Sequence, residues 1–542
     1  MNNVAQHLVH YAKTQPDRLA VVEPLGYKKG KRQYRTITFR ELNEDSDRIA
    51  FGLRRSGVEK GMRLAVLVTP GVDFVSCVFG MLKSGAVMIL IDPGMGIKNT
   101  MRCLRDAEPE GFVAISLVQA VQRLMPWRFG KAKYLLTVGN RWFWGGPSLS
   151  ALRRMAYPGP FMENVTPDDP AAIIFTTGST GPPKGVLYQH RTFNTQVSEI
   201  SRQYNIQPGQ TDLPGFPMFG LFNCAMGSTA VIPDLDASRP ASVDPKNILE
   251  ACRDWGVTQS FGSPAIWKVV GQWCRERGET LPDVRMILTA GAPVSEPVMR
   301  SVKEIIHPDG EIHTPYGATE ALPVATISST EVLGETAART REGAGVCVGR
   351  KFPSIRWKVI RITDDPIPTL DEVEELPTGQ VGELVVSGPQ ITREYVTLPQ
   401  HNALSKIREK QDAGEDIIWH RMGDVGYLDE QERFWFCGRK AHRVVTHGGT
   451  TLFTIPCEAI FNNHPAVSRS ALVGVAGEPV MIVELNRGYA ESEPLREELL
   501  RLAGSNMLTA TIHRVLFHPS FPVDIRHNAK IFREKLALWA AR

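Results

Sequence analysis

The 542-residue chain has no apolar run near the ~20 residues that a membrane-crossing helix needs, and one of its longer runs is only 86–91. Its first twenty residues, MNNVAQHLVHYAKTQPDRLA, lack the apolar stretch of a secretory signal and fit a short amphipathic helix. Eight cysteines lie far apart with no CxxC pair. That excludes a dense disulfide framework or a cysteine-rich metal site and predicts reduced thiols in a cytoplasmic protein. Neither sign of charge dominates: 62 basic and 58 acidic side chains leave +4, which argues against nucleic acid held by bulk charge and leaves a local patch open. There is no internal repeat and no low-complexity tract. No G-x-S-x-G elbow occurs, against a hydrolase of that type. The segment GAGVCVG, 343–349, carries its last glycine one position too late for a dinucleotide fingerprint.

What is present is alternation. Leu42, Ile49 and Leu53 have helical spacing within 39–57, ending at Gly57; strand-like 64–68, helical 74–82 and strand-like 86–91 follow. Such alternation predicts an α/β fold with layered sheets. The basic segment 28–32 falls between strands and reads as a solvated loop. Beyond Gly438-Arg439-Lys440 the pattern restarts as α+β, with a helix at 457–463 and strands at 480–485 and 515–517. The expected division is a large domain of residues 1–440 and a smaller, mobile C-terminal domain of residues 441–542. The stretch 117–154 interleaves Arg and Lys with Trp127, Phe129, Trp142, Phe143 and Trp144. Core packing is the commoner use of aromatics; a partner or membrane-surface contact is the other reading, and it fails if the three tryptophans are buried.

The densest chemistry is TTGSTGPPKG, residues 176–185, directly after the apolar run 171–175. Glycines let backbone N–H groups approach a ligand. The hydroxyls of Thr176, Thr177, Ser179 and Thr180 can donate to phosphoryl oxygens, and Lys184 adds positive charge. The loop is not a Walker P-loop, because Pro183 and Gly185 replace its glycine and Ser/Thr, and Pro182 and Pro183 offer no N–H. A polar surface turn remains the alternative on this segment alone. Further along, 217–222, 259–267 (QSFGSPAIW), 286–293 (MILTAGAP) and 313–320 (HTPYGATE) supply strand ends and turns of the kind at which ligands bind in such sheets.

Together, the glycine-rich loop, YGATE and the Gly438-Arg439 junction resemble the acyl-adenylate-forming superfamily of AMP-dependent synthetases and ligases, in order from Phe39 to Arg533. The resemblance implies ATP and Mg²⁺. Thr176, Thr177, Gly178, Ser179, Thr180, Gly181 and Lys184 would hold the β- and γ-phosphates. Gly291, Ala292 and Pro293 would line one adenine face, with Tyr316 on the other and Gly317 beside it. Thr319 would contact the α-phosphate and Glu320 would hold Mg²⁺. Asp424, in MGDVGYLDE, and Arg439 would take the ribose, and Lys530 would bridge the incoming carboxylate and the α-phosphate. The acyl pocket would draw on Phe219, Gly220, Phe222, Gly262, Ser263, Trp267 and Thr289. Three positions depart from the family: Gly220 where a histidine is common, Ala441 at a usually polar hinge, and Ala529 for the glycine before the last lysine. The first suggests room for a second alkyl branch.

Closer in, VLYQHRTFNTQ and HRVVTHGGTTLFTIPCE resemble the β-lactone synthetases of bacterial long-chain olefin biosynthesis. This implies a long-chain 2-alkyl-3-hydroxyalkanoic acid whose own hydroxyl closes the ring after adenylation, and association with other enzymes of that route. His190, His313 and His447 are candidate proton acceptors by type alone. The alternative is a long-chain acyl-CoA ligase using coenzyme A. A nucleotide-binding protein without activity is disfavoured by the presence of Lys530, Glu320 and Asp424.

Overall fold

In a computed structural model, the chain is described over residues 1–542 apart from 126, 177–180, 217 and 524–530, with the side chain of residue 93 also outside the description. It is an α/β protein of layered sheets followed by a smaller α+β unit.

Helix Phe39–Arg55 shows why the layers form. Thr38 accepts a hydrogen bond from the Glu41 N–H while the Glu41 carboxylate accepts from Thr38, a reciprocal N-terminal cap. Its apolar face, Leu42, Ile49 and Leu53, packs with Val75, Val78, Phe79 and Leu82 of helix Val72–Ser84 in the largest core. Gly57 then takes φ +91°, which ends the run in the left-handed region.

Five strands of a six-stranded sheet run parallel in the order Tyr134–Val138, Gly111–Ile115, Arg63–Leu67, Val87–Leu90, Pro170–Phe175. Gly185–Gln189 adds antiparallel to the last of them, with Phe175 opposite Gly185. The glycine-rich loop is therefore the connection of a hairpin at the sheet's edge. A nine-stranded sheet carries Thr211–Pro214, Gln259–Gly262, Met286–Thr289 and Glu311–Ala318 side by side and parallel. A third, antiparallel sheet is built on Ile417–Leu428, flanked by Gly382–Ser387 and Phe434–Arg439. Residues beyond these form the sheet Val467–Val475, Glu478–Leu485, Arg514–Phe517, with helices Thr454–Asn462 and Glu493–Gly504 packed in one core and helix Arg533–Ala540 in another.

Two expectations change. The segment 28–32 is exposed over residues 28–31 as expected, but it is the tip of a hairpin: Leu19–Lys28 and Lys31–Thr38 pair around a turn whose residues Lys29 and Gly30 have φ of +49° and +76°. Arg32 is buried, paired with Asp234 at 2.7 Å and Glu250 at 2.8 Å. Among the aromatics of 117–154, Trp144 and Phe129 are buried, but Trp127 and Trp142 are exposed. All eight cysteines are buried free thiols. Among the described residues no helix is long and apolar enough to cross a membrane.

Candidate active site

A cavity of about 2090 Å³ opens where the strand ends of the two large sheets meet, closed from the third sheet's side by Asp424, Gly438 and Arg439 and from the C-terminal unit by Thr454, Glu458 and Arg533. Its parts differ sharply in chemistry.

At one end Asp424 and Arg439 face each other as register partners on adjacent strands. The Asp424 Oδ2 accepts from the Tyr316 hydroxyl at 2.5 Å. Its Oδ1 is ion-paired at 3.0 Å with Arg439 Nη1, which also donates to the Met422 carbonyl, and among the described residues it accepts no well-aligned hydrogen bond. A buried carboxylate oxygen without a donor is costly unless a ligand supplies one. Vicinal ribose hydroxyls are donors of that kind. Burial raises the Asp424 carboxyl pKa, with Arg439 offsetting part of the rise. Burial and the Asp424 charge push the Tyr316 phenol well above its ordinary value, so it remains a donor.

Tyr316 lines the cavity, as do Gly291, Ala292 and Pro293 in the turn after strand Met286–Thr289. Gly291 has φ +96°, a conformation that strains any side chain. A Cβ at Gly317 would fall 2.5 Å from the Ala321 carbonyl oxygen, so the tight return of the Thr319-Glu320 turn needs glycine there. The Thr319 carbonyl accepts from Tyr188 at 2.6 Å. Glu320 is fixed twice: its carbonyl accepts from Thr392 N and Oγ1, both at 3.0 Å, and its carboxylate accepts from Tyr395 Oη at 2.6 Å.

At the hairpin loop, Thr176 N donates to the Lys184 carbonyl at 3.0 Å, and Lys184 N donates to Thr176 Oγ1 at 3.3 Å, clamping the loop's base. The Lys184 ammonium lies 4.6 Å over the Tyr395 ring. Burial lowers its pKa and Glu320 raises it again. Thr176 and Lys184 line the cavity; Gly181 does not. Thr177, Gly178, Ser179, Thr180 and Lys530 lie outside the described residues.

Three residues here escaped the sequence reading. Tyr395 holds Glu320. Lys406, buried, donates to the Thr392 carbonyl at 2.5 Å, and burial lowers its pKa to about 7 against the pull of Glu320. His420 lines the cavity with Nδ1 3.1 Å from the Ser405 carbonyl, which fixes the proton on Nδ1. Burial, then Lys406 and Lys184, push its pKa well below the ordinary value, so it is a neutral imidazole. His420 stands four residues before Asp424 and was legible by proximity; Tyr395 and Lys406 had no motif to mark them. His190, His313 and His447 are elsewhere. His190 accepts from Val4 N, its pKa lowered to about 4 by burial; His313 packs on Tyr204; His447 contacts the Ala476 carbonyl.

The opposite end is apolar. Phe219 stacks on Phe261 with centroids 3.6 Å apart, and Phe222, Phe74, Leu90, Met101 and Val118 continue the wall. Ser263 and Thr289 also line it, and their hydroxyls, like the Gln196 amide oxygen, have no hydrogen-bond partner among the described residues. Three expected pocket residues do not line this cavity. Gly220 lies on the far face of helix Phe219–Ala225, where a Cβ would sit 3.3 Å from Val75. Gly262 and Trp267 border a separate small void behind Phe261, and a Cβ on Gly262 would meet the Trp267 indole nitrogen at 2.8 Å. The missing ring at Gly220 thus adds no room for a second chain.

Among the described residues no three His, Cys, Asp or Glu side chains converge as a metal cluster. The Glu320 carboxylate lines the cavity, and a single carboxylate beside substrate phosphates is a common way for a protein to hold Mg²⁺.

Known proteins resemble this chain in sequence and in fold. The sequence family described as AMP-binding enzyme matches residues 8–396. An olefin beta-lactone synthetase of Xanthomonas campestris pv. campestris is 44% identical, covering 100% of this chain and 98% of the relative. One of Stenotrophomonas maltophilia is 43% identical over 99% of this chain and 98% of its own. Among solved structures, the amide bond synthetase McbA from Marinactinospora thermotolerans has a TM-score of 0.79 at 20% identity, covering 99% of each chain. ATP-bound MatB from Rhodopseudomonas palustris has a TM-score of 0.77 at 20% identity, covering 100% of this chain and 99% of its own. These last two show the shared fold.

Proposed function

Because the chain belongs to the AMP-binding enzyme family, we propose that it is a β-lactone synthetase acting on a long-chain 2-alkyl-3-hydroxyalkanoic acid, with ATP as co-substrate. The observation that carries this reading is the 44% identity to an olefin beta-lactone synthetase across the entire chain. The site's geometry supports it: at the nucleotide end a carboxylate oxygen that is ion-paired with Arg439 but has no hydrogen-bond donor among the described residues, and in the apolar cavity at the other end hydroxyls with no hydrogen-bond partner among them.

The carboxylate of the acid attacks the α-phosphorus, the α–β bond breaks, and pyrophosphate leaves. Lys530 offsets the charge of the two anions as they meet. Asp424 and Arg439 hold the ribose, Tyr316 and residues 291–293 enclose the adenine, and Thr319 contacts the α-phosphate. Lys184 and the 176–185 loop hold the leaving diphosphate. Mg²⁺, when bound through Glu320, neutralises phosphate charge; Tyr395 keeps that carboxylate oriented. The substrate's 3-hydroxyl oxygen then attacks the acyl carbon, the acyl C–O bond to the phosphate breaks with its electron pair going to AMP, and the hydroxyl proton passes to the phosphate of the leaving AMP. Because nucleophile and electrophile belong to one molecule, the protein has only to hold a bent conformer and exclude water. The Ser263 and Thr289 hydroxyls and Gln196 are suited to holding the 3-hydroxyl in that conformer. Residues 441–542, which carry Lys530, act as a lid over residues 1–440. The setting is the cytoplasm, beside the enzymes that make the hydroxy acid and use the lactone.

The test is incubation with a racemic 2-alkyl-3-hydroxy acid, ATP and Mg²⁺ without coenzyme A. Mass analysis should find β-lactone, with AMP and pyrophosphate. A product formed only with coenzyme A would make the chain an acyl-CoA ligase, and ADP as the main nucleotide product would overturn both readings.

A further inference from the structure

The outer surface at the cavity's apolar end carries a feature the chemistry does not use. Helix Ser116–Arg123 is anchored inward by Val118 and by Gln119, which donates to the Phe112 and Leu136 carbonyls. Its outward side continues as Leu117, Val121 and Leu124, at i, i+4 and i+7, with 63%, 40% and 66% of each exposed. Trp127 follows at 76%. The Ser116 hydroxyl donates to the Asn140 carbonyl at 2.5 Å, which brings the next loop, with exposed Trp142 and Phe143, to the start of this helix. Ile97 on the neighbouring helix Gly96–Ala107 is both exposed and a wall of the cavity, as Val118 is a wall from the other side. The cavity thus reaches the surface amid these apolar side chains.

Charge identifies the partner. Residues 96–145 hold eight basic and three acidic side chains, an excess of five where the whole chain has four. Asp106 is taken by Arg102 and Arg105, Glu108 by Lys131, and Glu110 by the Arg63 N–H. Lys98, Arg123, Arg128 and Lys133 are exposed and make no ion pair among the described residues. Exposed aliphatic and indole groups among unpaired cations match the interface of an anionic phospholipid layer, where rings and alkyl chains enter the acyl boundary and cations meet phosphates. We propose that this face docks the protein on an anionic phospholipid surface, with the cavity mouth at Ile97 turned to the bilayer. A greasy two-chain substrate then enters, and its product leaves, without crossing water. The docking itself does not depend on the reaction assigned above.

Co-sedimentation of the full chain with vesicles tests it, in the absence of substrate. Vesicles of phosphatidylglycerol and phosphatidylethanolamine should retain the protein, and phosphatidylcholine alone should retain about tenfold less. Raising the salt should weaken retention, also about tenfold. A Leu117→Ser/Leu124→Ser/Trp127→Ser variant and, separately, an Arg123→Glu/Arg128→Glu variant should each lose retention with an unchanged melting temperature. Absence of binding to anionic vesicles, or equal retention of parent and both variants, overturns the proposal. So does a triple variant that keeps its vesicle binding and loses only self-association or a bound protein, which would make the face a protein-docking surface.

Discussion

Asp424 has one oxygen committed to Tyr316 and one that is ion-paired with Arg439 but has no hydrogen-bond donor among the described residues. Asp424→Asn preserves the shape and an acceptor for Tyr316 but puts a neutral amide where two ribose hydroxyls would donate. Hydrogen bonds to a charged acceptor contribute about 1.5–3 kcal/mol, so KM for ATP should rise roughly tenfold to a hundredfold. Steady-state kinetics at saturating acid checks this; an unchanged KM would remove Asp424 from the nucleotide site. Gly220 offers the opposite kind of test. Its missing side chain points at Val75, not at the cavity. Gly220→Ala should change stability by less than about 1 kcal/mol, the helix preference of alanine offsetting its crowding against Val75, and leave chain-length preference as it was. A melting curve and a substrate series separate the two effects.

At the scale of elements, strand Thr211–Pro214 and helix Phe219–Ala225 are tied by Asn223 Nδ2 donating to Asp212 Oδ2 at 2.7 Å. Burial raises the Asp212 pKa to about 7 from a model-peptide value of 3.8. The folded chain therefore binds a proton that the unfolded chain has released between these values. The resulting stability is fully present below pH ~4 and is lost as pH rises through about 7. Asp212→Asn should flatten the melting temperature between pH 5 and 8, and at pH 8 exceed the parent by on the order of 2 kcal/mol; a parallel pair of pH profiles would refute the burial argument. The elements themselves were legible where one physical signal decided them. Leu42, Ile49 and Leu53 at helical spacing marked Phe39–Arg55, and the apolar run 171–175 marked Pro170–Phe175. What was not legible depends on contacts between distant segments. Arg32 looked solvated until Asp234 and Glu250 were folded onto it, about two hundred positions away. Tyr395 and Lys406 meet Glu320 only through the packing of separate sheets. Trp267 seemed a pocket wall from its place after a strand, but helix Pro264–Arg277 turns it into the core behind Phe261.

Across the whole molecule, the cavity is complete only because four sheets contribute to it. The parallel strands supply turns and glycines, the antiparallel sheet supplies Asp424 and Arg439, and the C-terminal unit supplies Glu458 and Arg533. Arg533 holds both oxygens of the buried Glu458 at 2.7 Å, and Glu458 Oε1 also accepts from Leu472 N at 2.9 Å. This anchors the segment that begins at Ile531, itself a cavity wall, onto the C-terminal sheet. The lysine immediately before it would act on a nucleotide held mostly by other sheets. Nucleotide affinity and adenylation should therefore separate in Lys530→Ala. Binding of ATP, followed by calorimetry, should change less than about threefold, since Asp424, Tyr316 and Lys184 remain and one cation among several contributes ~0.5 kcal/mol to holding a solvated polyphosphate. Pyrophosphate release should fall by about 10²–10³, the cost of removing one group that stabilises charge only as carboxylate and α-phosphate meet. Equal losses in binding and rate would assign Lys530 to ground-state nucleotide binding. An unimpaired rate would move the charge-bridging role to Lys184, a cation that lines the cavity over the Tyr395 ring.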